Sequence, residues 1–306
     1  MRVLIVGGGI AGLLTAWKLK DESVIVFDRK RELGKKCTGI ISYNTFSKLG
    51  ISNEFIDSYF KKIIFHYADI SFEVRTNVVR LNRLKLEKYL EENLKVKKST
   101  DVKIENNNKL LANNEKYEGK IIVASGWKGR AKWIKAIEYL TEPIESDSIE
   151  VFFDLRNPAG FGWIVPLSYG TLVGSLSYYD PKLFIPKINK RIIDIHGGSI
   201  PRAKPEYKYG IGDTLGLIKI FTGGGIFSIG EMLETIPRLV YENDNSLHLS
   251  KFNKLKNEIN KQFRLTIILE KTWRVVLPLA FRLLKDKTVS VNEEFDYHSF
   301  LFRTRL

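Results

Sequence analysis

The sequence opens on Arg2-Val-Leu-Ile-Val6 and runs straight into Gly7-x-Gly9-x-x-Gly12, and no other stretch restricts the fold as strongly. The apolar run reads as a buried parallel strand, and Ile10 to Leu19 carries apolar residues at helical intervals. Val24 to Phe27 is a second strand, so the start of the chain is predicted to be the β-α-β unit of a doubly wound sheet. The three glycines serve different ends. Gly7 makes the tight turn, Gly9 admits a pyrophosphate to the backbone, and Gly12 lets the helix pack close. The unpaired N–H groups and positive dipole end of the helix, with Ala11 in its first turn, face that anion. Asp28, at the end of the second strand, is placed to accept hydrogen bonds from ribose hydroxyls. A glycine turn that binds nothing is the alternative, but strand, helix and acid in sequence favour a dinucleotide. The unit does not separate FAD from NAD.

A second signature does. It reads Gly212-Asp213-Thr214-Leu215-Gly216, then Thr222-Gly223-Gly224-Gly225-Ile226 at the start of a helix. An aspartate at a strand end suits a ribityl hydroxyl, and a glycine-rich helix start can face the pyrimidine edge of a flavin, where its dipole favours the charge of the reduced ring. Alone, this stretch reads equally well as a helix cap at Asp213 and a loop at Gly223 to Gly225.

The chain has 306 residues, 44% hydrophobic and 27% charged, enough for one large core or two moderate ones. Its 49 Lys and Arg against 35 Asp and Glu give a formal charge of +14. The densest basic runs, Arg29 to Lys36 and Lys187 to Arg191, form no long basic helix, so no nucleic-acid partner is expected. One cysteine, Cys37, excludes an intramolecular disulfide, and His66, His196, His248 and His298 lack metal-ligand spacing, so no metal is expected. No export leader is read at the N-terminus, and apolar tracts such as Val275 to Leu284 are too short to span a bilayer. A cytoplasmic location is expected, with any membrane contact peripheral and at the inner face.

Further along, Glu32 to Gly50 reads as loop, Leu84 to Leu94 as helix, Thr100 to Tyr117 as an appended hairpin and Ile121 to Ala124 as a buried strand. Ile149 to Leu155 and Leu172 to Tyr178 flank Pro158 to Pro166 and predict an inserted antiparallel sheet for substrate. Helical periodicity dominates from Gly225, with a break at Glu242 to Ser246 and a helix over Leu247 to Phe263. The predicted fold is α/β: a discontinuous Rossmann-like FAD-binding domain over 1–60, 80–130 and 205–245, a substrate-binding sheet over 61–79 and 131–204, and a short helical C-terminal region over 246–306.

Five stretches together resemble the geranylgeranyl reductase family of FAD-dependent oxidoreductases, within the wider p-hydroxybenzoate hydroxylase-like flavoproteins. The match runs from Met1 to about Phe263. The stretches are Gly7 to Gly12 with Asp28; Cys37-Thr38-Gly39, similar to the family's Cys-x-Gly; Arg83 with Leu86, Glu87 and Leu90; Pro158-Ala-Gly-Phe161-Gly-Trp163-Ile-Val-Pro166; and Gly212 to Ile226. The fourth is the most family-specific. The resemblance implies that Ala11, Asp28, Arg29, Cys37, Thr38, Gly39, Arg83, Gly126, Asp213, Gly225 and Ile226 contact FAD. It implies that Phe161, Trp163 and Pro166 line the substrate cavity. Cys37, a lone cysteine beside Lys35 and Lys36, is read as the candidate catalytic residue near the flavin, a small buried apolar residue being the alternative. On a strand Phe161 and Trp163 share a side and can form an apolar wall; core packing is the competing reading. Ser125-Gly126, Thr214-Leu215 and Ile220 depart from the family's usual residues.

The activity implied is reduction of isolated double bonds in isoprenoid chains, on lipids or their diphosphates, with electrons from a donor such as ferredoxin or NAD(P)H. A flavin monooxygenase of the hydroxylase type shares the fold and is the alternative. A flavin- or lipid-binding protein without catalysis is the third reading.

Overall fold

The computed structural model describes residues 2–20, 23–291 and 294, so His298 lies outside the described residues. The opening unit forms as predicted: β1 (Val3–Val6), α1 (Ile10–Leu19) and β2 (Val24–Phe27). The stretch expected as loop instead folds into β3 (Ile40–Ser42) and α2 (Tyr43–Leu49). Ser42 caps α2 by accepting from the Thr45 N–H at 2.9 Å, a local device that begins a helix too short to show periodicity. Two long strands follow, β4 (Ile56–Tyr67) and β5 (Ile70–Leu81), then α3 (Arg83–Glu92) and β6 (Val96–Lys97). The region expected as a hairpin is three-stranded, with β7 (Val102–Asn106), β8 (Lys109–Ala112) and β9 (Glu115–Glu118) pairing antiparallel.

After β10 (Lys120–Val123) come β11 (Lys132–Thr141), β12 (Ile149–Phe152), β13 (Phe161–Leu167), β14 (Gly170–Ser177) and β15 (Ile192–Arg202). The chain then turns helical through α4 (Ile226–Leu233), α5 (Ile236–Tyr241) and α6 (Ser246–Leu284), and a last strand, β16 (Thr288–Ser290), pairs with β5. The helical tail is thus far longer than the stretch to Phe263: α6 has 39 residues and runs through Pro278.

Among the described residues, β10-β1-β2-β6 form a parallel sheet in that order. Because side chains alternate, β1 and β2 serve two cores. Val3, Ile5, Val24 and Val26 pack against the helices, whereas Leu4, Val6, Ile25 and Phe27 pack on Leu110, Ala112 and Tyr117 of the three-stranded sheet. Burial on both faces gives the continuous apolar runs that make these strands legible. The second sheet has the order β15-β11-β14-β13-β12-β4-β5-β16, with β3 also on β5. It is mostly antiparallel, but β12 joins β4, and β16 joins β5, in parallel.

Helix α6 ties the two sheets together. Its first half buries Phe252, Leu255 and Ile259 in the core beside the parallel sheet, and its second half buries Trp273, Leu277 and Phe281 against aromatics of the large sheet. His248, fully buried in its first turn, has Nε2 3.1 Å from the Gly210 carbonyl oxygen, next to the bridge between Gly210 and Val123. Burial lowers its pKa from 6.5 to about 4, against the opposing pull of that hydrogen bond. A depressed folded-state pKa gives stability that is present above pH 6.5 and lost as pH falls toward 4. We expect thermal melts to lose on the order of 3 kcal/mol across that window through this residue. The His248→Gln variant should show a correspondingly flatter profile; an unchanged slope would assign the acid lability elsewhere.

Candidate active site

The glycine turn sits where β1 ends. Gly7 has φ +117, and a Cβ there would collide with the Ala124 carbonyl after β10. A Cβ on Gly12 would overlap the Gly7 carbonyl oxygen, so glycine is required for α1 to lie this close to β1. Gly9 is the N-cap of α1 with no side-chain cap, and the space beside it is open. The first N–H groups of α1, including that of Ala11, therefore point from the end of the parallel sheet with an uncompensated dipole.

Asp28 follows β2, and its carboxylate turns back on this turn. Oδ2 accepts the Gly8 N–H at 2.6 Å and Oδ1 accepts the Lys30 N–H at 2.7 Å. Each oxygen retains a lone pair for a ribose hydroxyl. Arg29 beside it is exposed. A cleft of about 320 Å³ opens on the other side, lined by Val6, Val123, Ser125, Gly126 and Thr214 with Val102 and Ile104 of the three-stranded sheet. The hydroxyls of Ser125 and Thr214 are buried there without a hydrogen-bond partner. Unpaired buried polar atoms are costly, so two of them lining one cleft suit a polar ligand. Both residues depart from the resembled family, and both departures line the site.

The loop around Cys37, the start of α3 and the Gly212 turn converge. Arg83 is buried, donates through Nε to Glu87 Oε1 at 2.9 Å, and lies close to Cys37. Asp213 lies in a short turn whose Gly212 packs on Ala11, and its Oδ1 is 2.5 Å from where a Cβ of Gly225 would stand. Burial raises the Asp213 carboxyl above its usual range, opposed by the charges of Lys35 and Arg83. Gly223 has φ +75, Gly224 accepts the Lys219 N–H at 3.0 Å, Gly225 is the N-cap of α4 and Ile226 its first residue. The structure thus brings the Gly212 turn against Ala11 of α1, and Asp213 close to Gly225 and within electrostatic reach of Arg83.

The large sheet meets the loop that holds Cys37 through a carboxylate that sequence patterning does not reveal. Glu138 on β11 is 3% exposed, and Thr38 Oγ1 donates to its Oε2, as does Trp163 Nε1 at 2.7 Å. His196 pairs with Glu138 in register across β15, and its Nε2 stands 3.0 Å from Glu138 Oε1 without an aligned hydrogen bond. Arg202, equally hidden in the sequence, is buried and binds the carbonyls of Ala159 at 2.7 Å and Phe221 at 3.1 Å, fixing the segment just before Thr222. A third buried ionic group, Lys219, pairs with Glu294, which also accepts from Ser42 and Thr45. All three contacts join residues distant in sequence, which no local pattern encodes.

Phe161 and Trp163 do share a face, at 5.9 Å between centroids, but they differ in use. Trp163 is buried, with Gly174 opposite making room for its indole, whereas half-buried Phe161 stacks on Phe221 at 6.0 Å. Phe153 and Trp273 extend that wall toward α6. Pro166 has the opposite parity on β13 and is buried on the other face, so it is not brought to this wall. Among the described residues no cluster of His, Cys, Asp or Glu has the form of a metal site.

Comparison with known proteins points to flavin-dependent folds. The model of the FAD dependent oxidoreductase family matches residues 2–142. A geranylgeranyl bacteriochlorophyll reductase-like protein from Thermoplasma acidophilum superimposes with a TM-score of 0.72 at 17% identity, over 94% of this chain and 92% of its own. PqsL from Pseudomonas aeruginosa, a probable FAD-dependent monooxygenase, gives 0.67 at 10% identity, over 92% and 99%. The flavin-dependent brominase Bmp2 gives 0.62 at 16% identity, over 92% of each chain. At these identities the likeness is one of fold. No curated protein matches the sequence significantly. Residues 2–142 are similar to the FAD dependent oxidoreductase family, and that likeness supports FAD as the cofactor.

Proposed function

We propose that this oxidoreductase reduces carbon–carbon double bonds of isoprenoid chains, carried on a lipid or a diphosphate. The observation that carries the reading is the aromatic wall of Phe153, Phe161, Phe221 and Trp273, which runs from the second glycine turn to α6. An isolated alkene offers no polar handle, so it is held by shape and dispersion alone, and aromatic faces supply both. The fold shared with the reductase-like protein of Thermoplasma acidophilum supports the same reading.

FAD, when bound, supplies hydride chemistry at its N5. The protein's part is to hold the pyrophosphate on α1, the ribose on Asp28 and the ribityl chain near Asp213, and to exclude water from the aromatic wall. Reduction also needs a proton. Glu138, whose Oε1 stands 3.0 Å from the buried Nε2 of His196 and whose Oε2 accepts from Trp163, is the group we assign to carry it. Cys37, beside Arg83, serves as a contact for the flavin side of the cavity. Electrons come from a diffusing donor of the ferredoxin or NAD(P)H type.

The test is anaerobic incubation of the photoreduced protein with a polyprenyl lipid and analysis of the product. A saturated chain supports the proposal. A hydroxylated product that forms only with oxygen would replace it with a monooxygenase.

A further inference from the structure

The outward face of the second half of α6 is apolar and basic at once. Ile267, Ile268, Val275, Leu279 and Leu283 are 43–70% exposed, an unusual concentration of large apolar side chains on one helix. At 3.6 residues per turn Ile268, Val275 and Leu279 fall on one side, and Arg264, Lys271 and Arg282, all exposed, border them along one edge. Arg274 flanks the stripe. The sole acid from Arg264 to Leu284 is Glu270, which turns inward to Lys132 at 2.7 Å. The opposite side of the same turns, Trp273, Leu277 and Phe281, packs on the aromatic cluster that holds Phe153 and Phe221.

We infer that α6 docks this protein on an anionic phospholipid surface, with its axis in the plane of the interface. No helix among the described residues is long and apolar enough to cross a membrane, so the face can lie on a bilayer but not span it. Two features select lipid over a second copy of the chain. A self-pairing of α6 would bring Arg264, Lys271 and Arg282 of both copies together without an acid between them, and this repulsion opposes a dimer. A bilayer supplies both partners that the face lacks, acyl chains for the apolar residues and headgroup phosphates for the basic ones. The inner face of α6 then sits one helix diameter from the lipid, which brings the aromatic wall next to the source of a membrane-borne substrate. Docking stands on the surface itself; only that last purpose rests on the proposed reaction.

The FAD-loaded full chain is sedimented with vesicles of phosphatidylcholine alone and of phosphatidylcholine with phosphatidylglycerol. We expect binding to the anionic vesicles, reversed by salt, and a loss of roughly tenfold or more in Val275→Glu/Leu279→Glu, because two apolar contacts are replaced by repelled charges. The flavin spectrum of that variant should match the parent, since both side chains are exposed. Absence of binding by the parent chain overturns the inference, as does undiminished binding by the variant. A parent dimer that the variant converts to monomer without change in vesicle binding overturns it in favour of a second copy. Vesicle binding by a protein that does not reduce polyprenyl lipids would leave the surface standing and remove the proposed reaction.

Discussion

Gly12→Val is expected to give a protein purified without flavin colour. A Cβ at this position overlaps the Gly7 carbonyl oxygen, a backbone atom in the strand-to-helix turn that cannot swing aside. Helix α1 must therefore move off β1, which opens the core around Leu13 and Leu14 and withdraws the N–H groups proposed to hold the pyrophosphate. Overpacking of this kind costs about 1–3 kcal/mol in stability. Lost phosphate contacts add to it, so FAD affinity should drop by roughly a hundredfold or more. Gly9→Ala is the matched control. Its Cβ meets no protein atom within 4 Å and its φ is −76, so the apo fold should keep its melting temperature while FAD binding weakens by close approach alone. Equal melting temperatures for the two variants would contradict this division of labour between packing and binding.

The second large effect is expected at Glu138. In Glu138→Leu the Thr38 hydroxyl and the Trp163 indole N–H lose their acceptor inside the protein. Each stranded donor costs about 1–3 kcal/mol, so the melt should shift downward by several degrees. Glu138→Gln separates structure from chemistry, since its amide oxygen can still accept from Trp163 but cannot carry a proton. For this variant the melt and the flavin spectrum should stay close to the parent, while single-turnover reoxidation by substrate slows by about a hundredfold. A Gln variant that turns over at the parent rate would leave Glu138 as a structural acceptor only.

Local patterns make the cofactor half of the site legible. The run Val3 to Val6, the three glycines and Asp28 lie within one β-α-β unit, where spacing along the chain fixes spacing in space. Gly212 to Ile226 is readable for a similar reason, as a turn followed by a helix start. The contacts of the large sheet are hidden because they cross between strands. Glu138 sits in an alternating strand where nothing nearby distinguishes a buried carboxylate from an exposed one; its burial comes from Thr38, Trp163 and His196, each from another element. A motif groups Pro166 with Phe161, yet strand parity sends it to the opposite face. The length of α6 escapes the pattern because its second half is apolar both inside and outside, which blurs the 3.6-residue period, and Pro278 looks like an end. That outer face is also what points to a lipid surface, so the blurred pattern and the docking face have one cause.

Isoprenoid reduction is tested most directly by the visible absorbance of the flavin in the reduced protein under strict anaerobiosis, followed as a polyprenyl lipid is added. The oxidised spectrum should recover in proportion to the double bonds reduced, with no oxygen present. A flavin that stays reduced until oxygen is admitted, whatever isoprenoid is supplied, would contradict that activity.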